Sequence, residues 1–340
     1  MNIAVVSDAW YPQINGVVRT LDRVRQELTG LGHDITMVSP DLFRSFPCPT
    51  YPEIRLAMAS PARLAPMLDD KGIEAVHIAT EGPLGWAARR LCLRRGWPFT
   101  TSFHTRFPEY VQARSGIPPS WLYALLRKFH APASGVLVAT ESLCQELEGR
   151  GFGNVRRWSR GVDTDLFQPY EDKLYDAPRP IFINVGRVAV EKNIEAFLRL
   201  DLPGSKVVVG DGPQLARLRK DYPEVIFTGA KTGEDLARHY AAADVFVFPS
   251  RTDTFGLVLL EALAAGLPVA AFPVPGPLDV INGSPVGVLD EDLCGAAVRA
   301  LEIPRGACRD YALGFSWQRC AQQFLSYVMP LPETAAAEVP

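Results

Sequence analysis

Short apolar runs rich in β-branched residues alternate with longer amphipathic stretches along almost the whole chain. Ile3 to Ser7, Asp34 to Ser39, Ala75 to Ile78, Phe99 to Phe103 and Gly135 to Ala139 predict strands buried on both faces, and stretches such as Val17 to Leu31 predict the helices between them. The alternation restarts with Pro180 to Val185, Ser205 to Val209, Val225 to Thr228, Val245 to Phe248 and Pro268 to Phe272. Two successive α/β units are therefore expected, each a parallel sheet covered by helices. Between them, Ser159 to Phe167 and a polar, Pro-containing stretch to Pro180 lack sustained periodicity and read as a linker. Ser316 to Val328 predicts a last helix, with Ser316 as its N-cap and Trp317, Phe324 and Val328 near one face; Pro330 to Pro340 reads as a disordered tail. The expected boundaries are 1–165, 166–315, 316–329 for the last helix and 330–340 for the tail.

Composition agrees with two soluble globular domains: 340 residues, 47% hydrophobic and 21% charged, give ample core. The net charge of −3 is unevenly divided. Residues 1–160 hold 19 Lys and Arg against 14 Asp and Glu, whereas 161–340 hold 16 against 24. A basic first half suits an anionic partner surface, although unequal halves are also common among two-domain enzymes. The N-terminus has no basic n-region, and Asp8 interrupts its apolar run, so a cytoplasmic first strand is expected rather than a signal peptide. Six scattered cysteines without a C-x-x-C pair indicate neither a disulfide framework nor zinc. No nucleic-acid partner is expected.

The densest candidate chemistry lies in Thr252-Asp253-Thr254-Phe255-Gly256-Leu257-Val258-Leu259-Leu260-Glu261, just after an apolar strand. A carboxylate in the loop and a second one eight residues on, in the next helix, can face one ligand from two sides, while the helix N-terminus between them presents N–H groups to an anion. Glu261 alone also fits a helix acid favoured by the dipole. Asn184-Val185-Gly186-Arg187-Val188-Ala189-Val190-Glu191-Lys192-Asn193 joins another strand end to a helix, with Arg187 and Lys192 five apart. Two cations converging on one point repel unless an anion lies between them; the same pair also fits two solvated surface charges. Val209-Gly210-Asp211-Gly212-Pro213 reads as a sharp turn, and Phe227-Thr228-Gly229-Ala230-Lys231 ends the next strand. In the first half, Gly16 in Tyr11-Pro12-Gln13-Ile14-Asn15-Gly16-Val17 follows the first strand, where it fits either a tight turn or a backbone that a ligand approaches. His104 follows the fourth strand in Ser102-Phe103-His104-Thr105, where it is either structural or at the ligand end of a parallel sheet. No G-x-G-x-x-G follows the first strand, which disfavours a dinucleotide oxidoreductase.

Taken in order, these segments resemble the motifs of retaining glycosyltransferases of the GT-B fold, family 4 in particular, over nearly the whole chain. The resemblance implies an α/β fold with two Rossmann-like domains facing a cleft and a C-terminal crossover helix packing on the first domain. It places Asp253 where the first Glu of an E-x7-E element usually stands, and Glu261 at the second, on the ribose. It implies that Arg187 and Lys192 clamp the nucleotide phosphates, that His104 contacts the donor sugar, and that Asp253 with Phe255, Gly256 and Leu257 meets the sugar hydroxyls and phosphate. Gly16, Gly186, Gly212 and Lys231 would lie near the donor. The implied reaction needs no metal or cofactor, and Asp163-Thr164-Asp165, which has the form of a D-x-D metal motif, falls in the linker.

Ser102 to Tyr110 and Arg251 to Gly256 look most like the branch that glycosylates lipids, the sulfoquinovosyl-, glucosyl- and mannosyltransferases. A nucleotide diphosphate sugar donor, UDP-linked ahead of GDP-mannose, and a lipid acceptor such as diacylglycerol at an anionic membrane surface are the implied partners. Ser120 to His130 places Trp121, Leu122, Leu125 and Phe129 on one helical face beside two cations, and Arg89 to Trp97 mixes basic and apolar residues. Either segment fits a membrane interface or an ordinary domain-covering helix. The expected enzyme is cytoplasmic, peripheral on the inner face of the membrane. The alternatives are a transferase with a soluble acceptor, or a nucleotide-sugar epimerase or binding protein of the same fold.

Overall fold

The computed structural model describes residues 1–332 apart from 14, 49–50, 117, 171–173 and 282. The chain forms two compact units: unit 1 is Met1–Ser159 together with the C-terminal helix that begins at Trp317, and unit 2 is Arg160–Ser316.

Unit 1 carries β1 (Asn2–Val6), α1 (Gly16–Gly30), β2 (Asp34–Val38), β3 (Ser45–Cys48), β4 (Tyr51–Ala57), α2 (Pro61–Asp69), β5 (Ala75–Ile78), α3 (Pro83–Arg95), β6 (Thr100–Phe103), α4 (Phe107–Ser115), α5 (Pro119–His130), β7 (Gly135–Val138), α6 (Glu141–Gly149) and β8 (Val155–Arg157). Six of its strands form one parallel sheet in the order β2-β1-β5-β6-β7-β8, while β3 and β4 pair antiparallel apart from it. The strand order reverses between β1 and β5, which makes that crevice the switch point of the sheet.

Every residue of β5, β6 and β7 is buried, as the apolar runs predict. Strand β6 reaches this state with the polar sequence Thr100-Thr101-Ser102. Its hydroxyls are satisfied by histidines: Thr100 and Ser102 hold the two ring nitrogens of His77, each at 2.9 Å, and Thr101 meets His130 at 2.8 Å. Burial pushes the His77 imidazole down to about 3, so it stays neutral.

Unit 2 carries β9 (Ile181–Val185), α7 (Ile194–Leu198), β10 (Ser205–Val209), α8 (Leu215–Asp221), β11 (Ile226–Gly229), α9 (Gly233–Ala241), β12 (Val245–Phe248), α10 (Leu257–Ala264), β13 (Val269–Ala271), α11 (Pro275–Ile281), β14 (Gly287–Leu289), α12 (Leu293–Ala300) and α13 (Arg305–Ala312). Its sheet runs β11-β10-β9-β12-β13-β14, all parallel, and reverses between β9 and β12. Both units are thus Rossmann-like.

The segment read as a linker is part of unit 2. Arg309 of α13 donates to the carbonyls of Phe167 (2.6 Å) and Thr164 (2.8 Å), the Phe167 ring packs 5.7 Å from that of Tyr240, and the Tyr175 hydroxyl lies 2.6 Å from His239 Nδ1. These partners lie far along the chain, so no local periodicity announces them. Asp163, of the D-x-D form, accepts the Leu166 N–H at 3.0 Å and closes a turn.

The last helix, α14 (Trp317–Tyr327), returns to unit 1 and packs beside α1. Its Trp317 and Phe324 are buried, and Phe324 meets the rings of His77 (4.9 Å) and Trp158 (5.2 Å). Full burial of such a ring contributes about 1.5–3 kcal/mol. Trp158 Nε1 donates to the Cys320 carbonyl at 3.0 Å, and Gln323 joins Arg157 and Ser159. The tail expected to be disordered from residue 330 starts ordered: Pro330 bridges Ala75, and the Leu331 N–H donates to Glu74. The rest of that tail, 333–340, lies outside the described residues.

Candidate functional site

Two loops leave the C-terminal ends of β9 and β12, the strands that flank the switch point of unit 2. One runs from Gly186 to Asn193 and the other from Pro249 to Gly256, and three side chains stitch them together. Lys192 Nζ pairs with Asp253 Oδ1, Asn193 Nδ2 donates to the Pro249 carbonyl at 3.0 Å, and the Thr252 hydroxyl donates to the Glu191 carbonyl at 3.2 Å. Asn193 achieves this with φ 52°, a left-handed conformation that asparagine tolerates better than most residues. Arg187 sits on the first loop, half-buried.

Polar capacity collects on the second loop. Asp253 Oδ2 and Ser250 Oγ are buried and have no hydrogen-bond partner among the described residues. Each such atom costs about 1–3 kcal/mol unless something satisfies it. Next along the chain, Gly256 caps α10 with φ 84° and offers no side-chain acceptor, so the first N–H groups of that helix are left to another anion or polar group. Glycine is required there: a Cβ would need the strained left-handed conformation and would lie 3.2 Å from the Phe248 ring. Phe255, buried at 8% exposure, anchors the turn.

Glu261 lies one turn further into α10, at 6% exposure, where the Tyr240 hydroxyl donates to its Oε2 at 2.9 Å and fixes the carboxylate. Sequence spacing finds Glu261 but not Tyr240, twenty-one residues earlier on α9. Gly210 and Gly212 act on the first loop from beneath. A Cβ on Gly210 would fall 1.8 Å from the Gly186 carbonyl oxygen, and one on Gly212 would fall 2.4 Å from that of Val188. The Val188 N–H also donates to the Asp211 carbonyl at 2.9 Å, so the G-D-G-P turn is the platform on which the Arg187 loop rests. Lys231 lies beyond β11 in a 3.0 Å pair with Asp235 on α9. Among the described residues no cluster of three or more His, Cys, Asp or Glu is placed to hold a metal ion.

Unit 1 arranges its switch point differently. The Asp8 carboxylate, buried at 6% exposure, accepts the N–H groups of Leu84 (2.9 Å) and Gly85 (3.2 Å) at the start of α3 and the Thr80 hydroxyl at 3.0 Å. Burial raises its pKa, and these donors oppose the shift. Gly82 makes room, since a Cβ would sit 2.3 Å from the carboxyl carbon. Gly16 opens α1, whose next two N–H groups are taken by Asn15 Oδ1 at 3.0 Å. His104 follows β6, half-buried, its ring edge-on to Trp158 at 5.8 Å.

The amphipathic face read on α5 is divided otherwise. Phe129 is fully buried with Tyr123 and Leu126, while Trp121 (73% exposed) and Leu125 (49%) face solvent. The two stripes overlap on the helical wheel, and tertiary packing chooses between them. In the Arg89 to Trp97 segment, Arg89 donates to the Phe129 and Lys128 carbonyls, and Arg95 pairs with Asp69. Arg90, Leu93 and Arg94 remain exposed.

Comparison with known proteins identifies the family. Residues 14–166 match the family model described as Glycosyltransferase Family 4, and residues 179–302 match that of Glycosyl transferases group 1. A GDP-mannose-dependent alpha-mannosyltransferase of Mycobacterium tuberculosis is 30% identical, over 96% of each chain. An alpha-monoglucosyldiacylglycerol synthase of Streptococcus pneumoniae is 28% identical over 88% of this chain and 78% of its own. Among solved structures, a sucrose-phosphate synthase of Thermosynechococcus elongatus superposes with a TM-score of 0.79 over 96% of this chain and 97% of its own, at 21% identity. With two parallel-sheet domains of GT-B type, a family-model match in each and a relative 30% identical over nearly the whole chain, the chain belongs to glycosyltransferase family 4 and is a glycosyltransferase.

Proposed function

We propose that the enzyme moves a hexose, with retention of configuration and without a metal, from a nucleoside diphosphate sugar to a hydroxyl group of a membrane lipid. The observation that carries the donor half is the β9/β12 crevice. There an uncapped helix N-terminus, Arg187, Lys192 and two partnerless polar atoms stand on adjoining loops. A diphosphate suits the cations and the N–H groups, and a sugar hydroxyl suits Asp253 Oδ2. Glu261, oriented by Tyr240, suits the ribose hydroxyls; Gly186, Gly212, Phe255, Gly256 and Leu257 shape the backbone around the donor, and the stretch ending at Lys231 reads the base. His104 is assigned to the sugar and Gly16 to the neighbourhood of the diphosphate by resemblance.

In the proposed step the glycosyl C1–O bond to the diphosphate breaks as C1 bonds to the acceptor oxygen on the same face. The acceptor proton passes to the leaving phosphate, and Arg187 and Lys192 neutralise the charge that grows there. The resemblance puts UDP sugars ahead of GDP-mannose, whereas the name of the mycobacterial relative puts GDP-mannose first among donors to test.

The lipid half rests on exposed apolar and basic residues of two helices, Trp121, Leu125 and Lys128 on α5 and Arg90, Leu93 and Arg94 on α3, a composition suited to an anionic interface, and on the name of the streptococcal relative. Among the described residues no helix is long and apolar enough to cross a membrane. Incubating the protein with UDP- and GDP-sugars and a total lipid extract, then identifying products by mass spectrometry, tests the proposal. A new glycolipid is expected. Turnover only with soluble saccharides would replace the lipid acceptor, and donor binding without turnover would favour a nucleotide-sugar binding protein.

A further inference from the structure

The donor loops of unit 2 carry a negative charge among the groups assigned to an anion. Asp253 Oδ1 is paired with Lys192, one of the two cations assigned to the diphosphate. A site built only to hold phosphates would keep carboxylates away from those cations.

The carboxylate is fastened in this position. The Thr252 hydroxyl, beside Asp253, donates to the Glu191 carbonyl at 3.2 Å, and the Asn193 amide, beside Lys192, donates to the Pro249 carbonyl at 3.0 Å. The two loops are thus joined on either side of the ion pair. From beneath, α11 comes close because it has no side chain there: a Cβ on Gly276 would lie 3.0 Å from the Asp253 carbonyl oxygen and 3.2 Å from that of Phe255. Aspartate has only two side-chain torsions, so on this fastened backbone its charge stays beside Lys192 when an anion arrives. The Asp253 side chain is 15% exposed, and its Oδ2 is buried with no partner among the described residues. Little water is there to screen it.

The intact donor and the nucleoside diphosphate left after transfer meet this carboxylate differently. In the donor the outer phosphate is esterified, and the hexose brings hydroxyls that can donate to Oδ2. After transfer the C1–O bond has broken with its electron pair on that phosphate, and the hexose has left on the acceptor oxygen. Once the acceptor proton has passed from the phosphate to solvent, the product carries about one more negative charge than the donor did. Product therefore brings more charge of the same sign and no hydroxyl in exchange.

We propose that Asp253 discriminates the intact donor from the nucleoside diphosphate product, so that the product is expelled after each transfer. This role presupposes the donor reading of the crevice and needs groups of unit 2 alone.

Calorimetric titration without acceptor tests it, comparing UDP with UDP-glucose and GDP with GDP-mannose on wild type, Asp253→Asn and Asp253→Glu. Asparagine keeps the size of the side chain and removes its charge; glutamate keeps the charge. For the base that binds, wild type should hold the sugar nucleotide more tightly than the bare diphosphate. In Asp253→Asn the affinity for the bare diphosphate should rise about tenfold, while that for the sugar nucleotide changes less than about threefold. Asp253→Glu should keep the wild-type ratio of the two affinities within about threefold. Equal losses for both ligands in Asp253→Asn would mean that Asp253 only holds Lys192 in place, and would overturn the proposal, as would an unchanged ratio. A wild-type protein that binds bare diphosphate as tightly as the sugar nucleotide overturns it without any variant. In each of these cases nucleotides still bind, so the donor reading stands. If wild type binds none of the four ligands, the donor reading falls and the proposal falls with it.

Discussion

In unit 1 the helices that start beside the switch point are capped by the chain itself, α1 by Asn15 and α3 by the buried carboxylate of Asp8. In unit 2 the helix beside the switch point, α10, begins at a glycine with no side-chain cap, and the neighbouring loop supplies Arg187 and Lys192. Two sheets with the same reversal of strand order therefore treat their helix dipoles in opposite ways. In unit 1 side chains take these N–H groups, and in unit 2 no side-chain cap takes them, which suits an anion. The difference marks the unit 2 crevice as the one with N–H groups open to an anion, which fold alone does not decide.

The largest effect should come from removing the cation that bridges the two loops of unit 2. Lys192→Met is expected to lower kcat for nucleoside diphosphate release by about 10²–10³-fold, the scale of losing one group that stabilises a leaving charge. An unchanged rate with intact circular dichroism would break the contrast between the crevices. Asp8→Ala should act on stability instead, lowering urea-unfolding free energy by about 2 kcal/mol because two helix N–H groups lose their acceptor. Donor KM in that variant should stay within about twofold of wild type; a large rise would mean that the unit 1 crevice also binds the anion. The smallest effect is expected for Tyr240→Phe, which frees Glu261 from its hydrogen bond at a cost of about 1 kcal/mol and raises donor KM a few-fold. A stability loss with no change in donor KM would make Glu261 a structural carboxylate and remove it from the ribose.

Much of the frame was legible because buried parallel strands advertise themselves as apolar runs. The strands that escaped are short or lie at edges. Val155–Arg157 buries only its first residue, Gly287–Leu289 is half-exposed throughout, and the β3–β4 pair lies in a Pro-containing stretch outside the main sheets. None of them shows an uninterrupted apolar signal. At the site, spacing exposed Arg187, Lys192, Asp253, Gly256 and Glu261, since those residues stand close together in sequence within their loops. Their partners did not show. Asn193 meets Pro249, Tyr240 meets Glu261 and Asp8 meets Leu84 across 56, 21 and 76 residues, contacts that only the folded sheets create. The linker failed for the same reason, because Arg309 holds it from far along the chain.

The return of α14 to unit 1 has a consequence for biosynthesis. Residues 160–316 are synthesised before Trp317 is added, so unit 2 has its whole sequence while unit 1 still lacks a helix. Domains usually mature in the order in which they leave the ribosome. Here the order is inverted: the surfaces of His77 and Trp158 that receive Phe324 wait uncovered until α14 has been made. A nascent chain stalled within unit 2 should present that apolar face to chaperones, and release of the last helix should withdraw it.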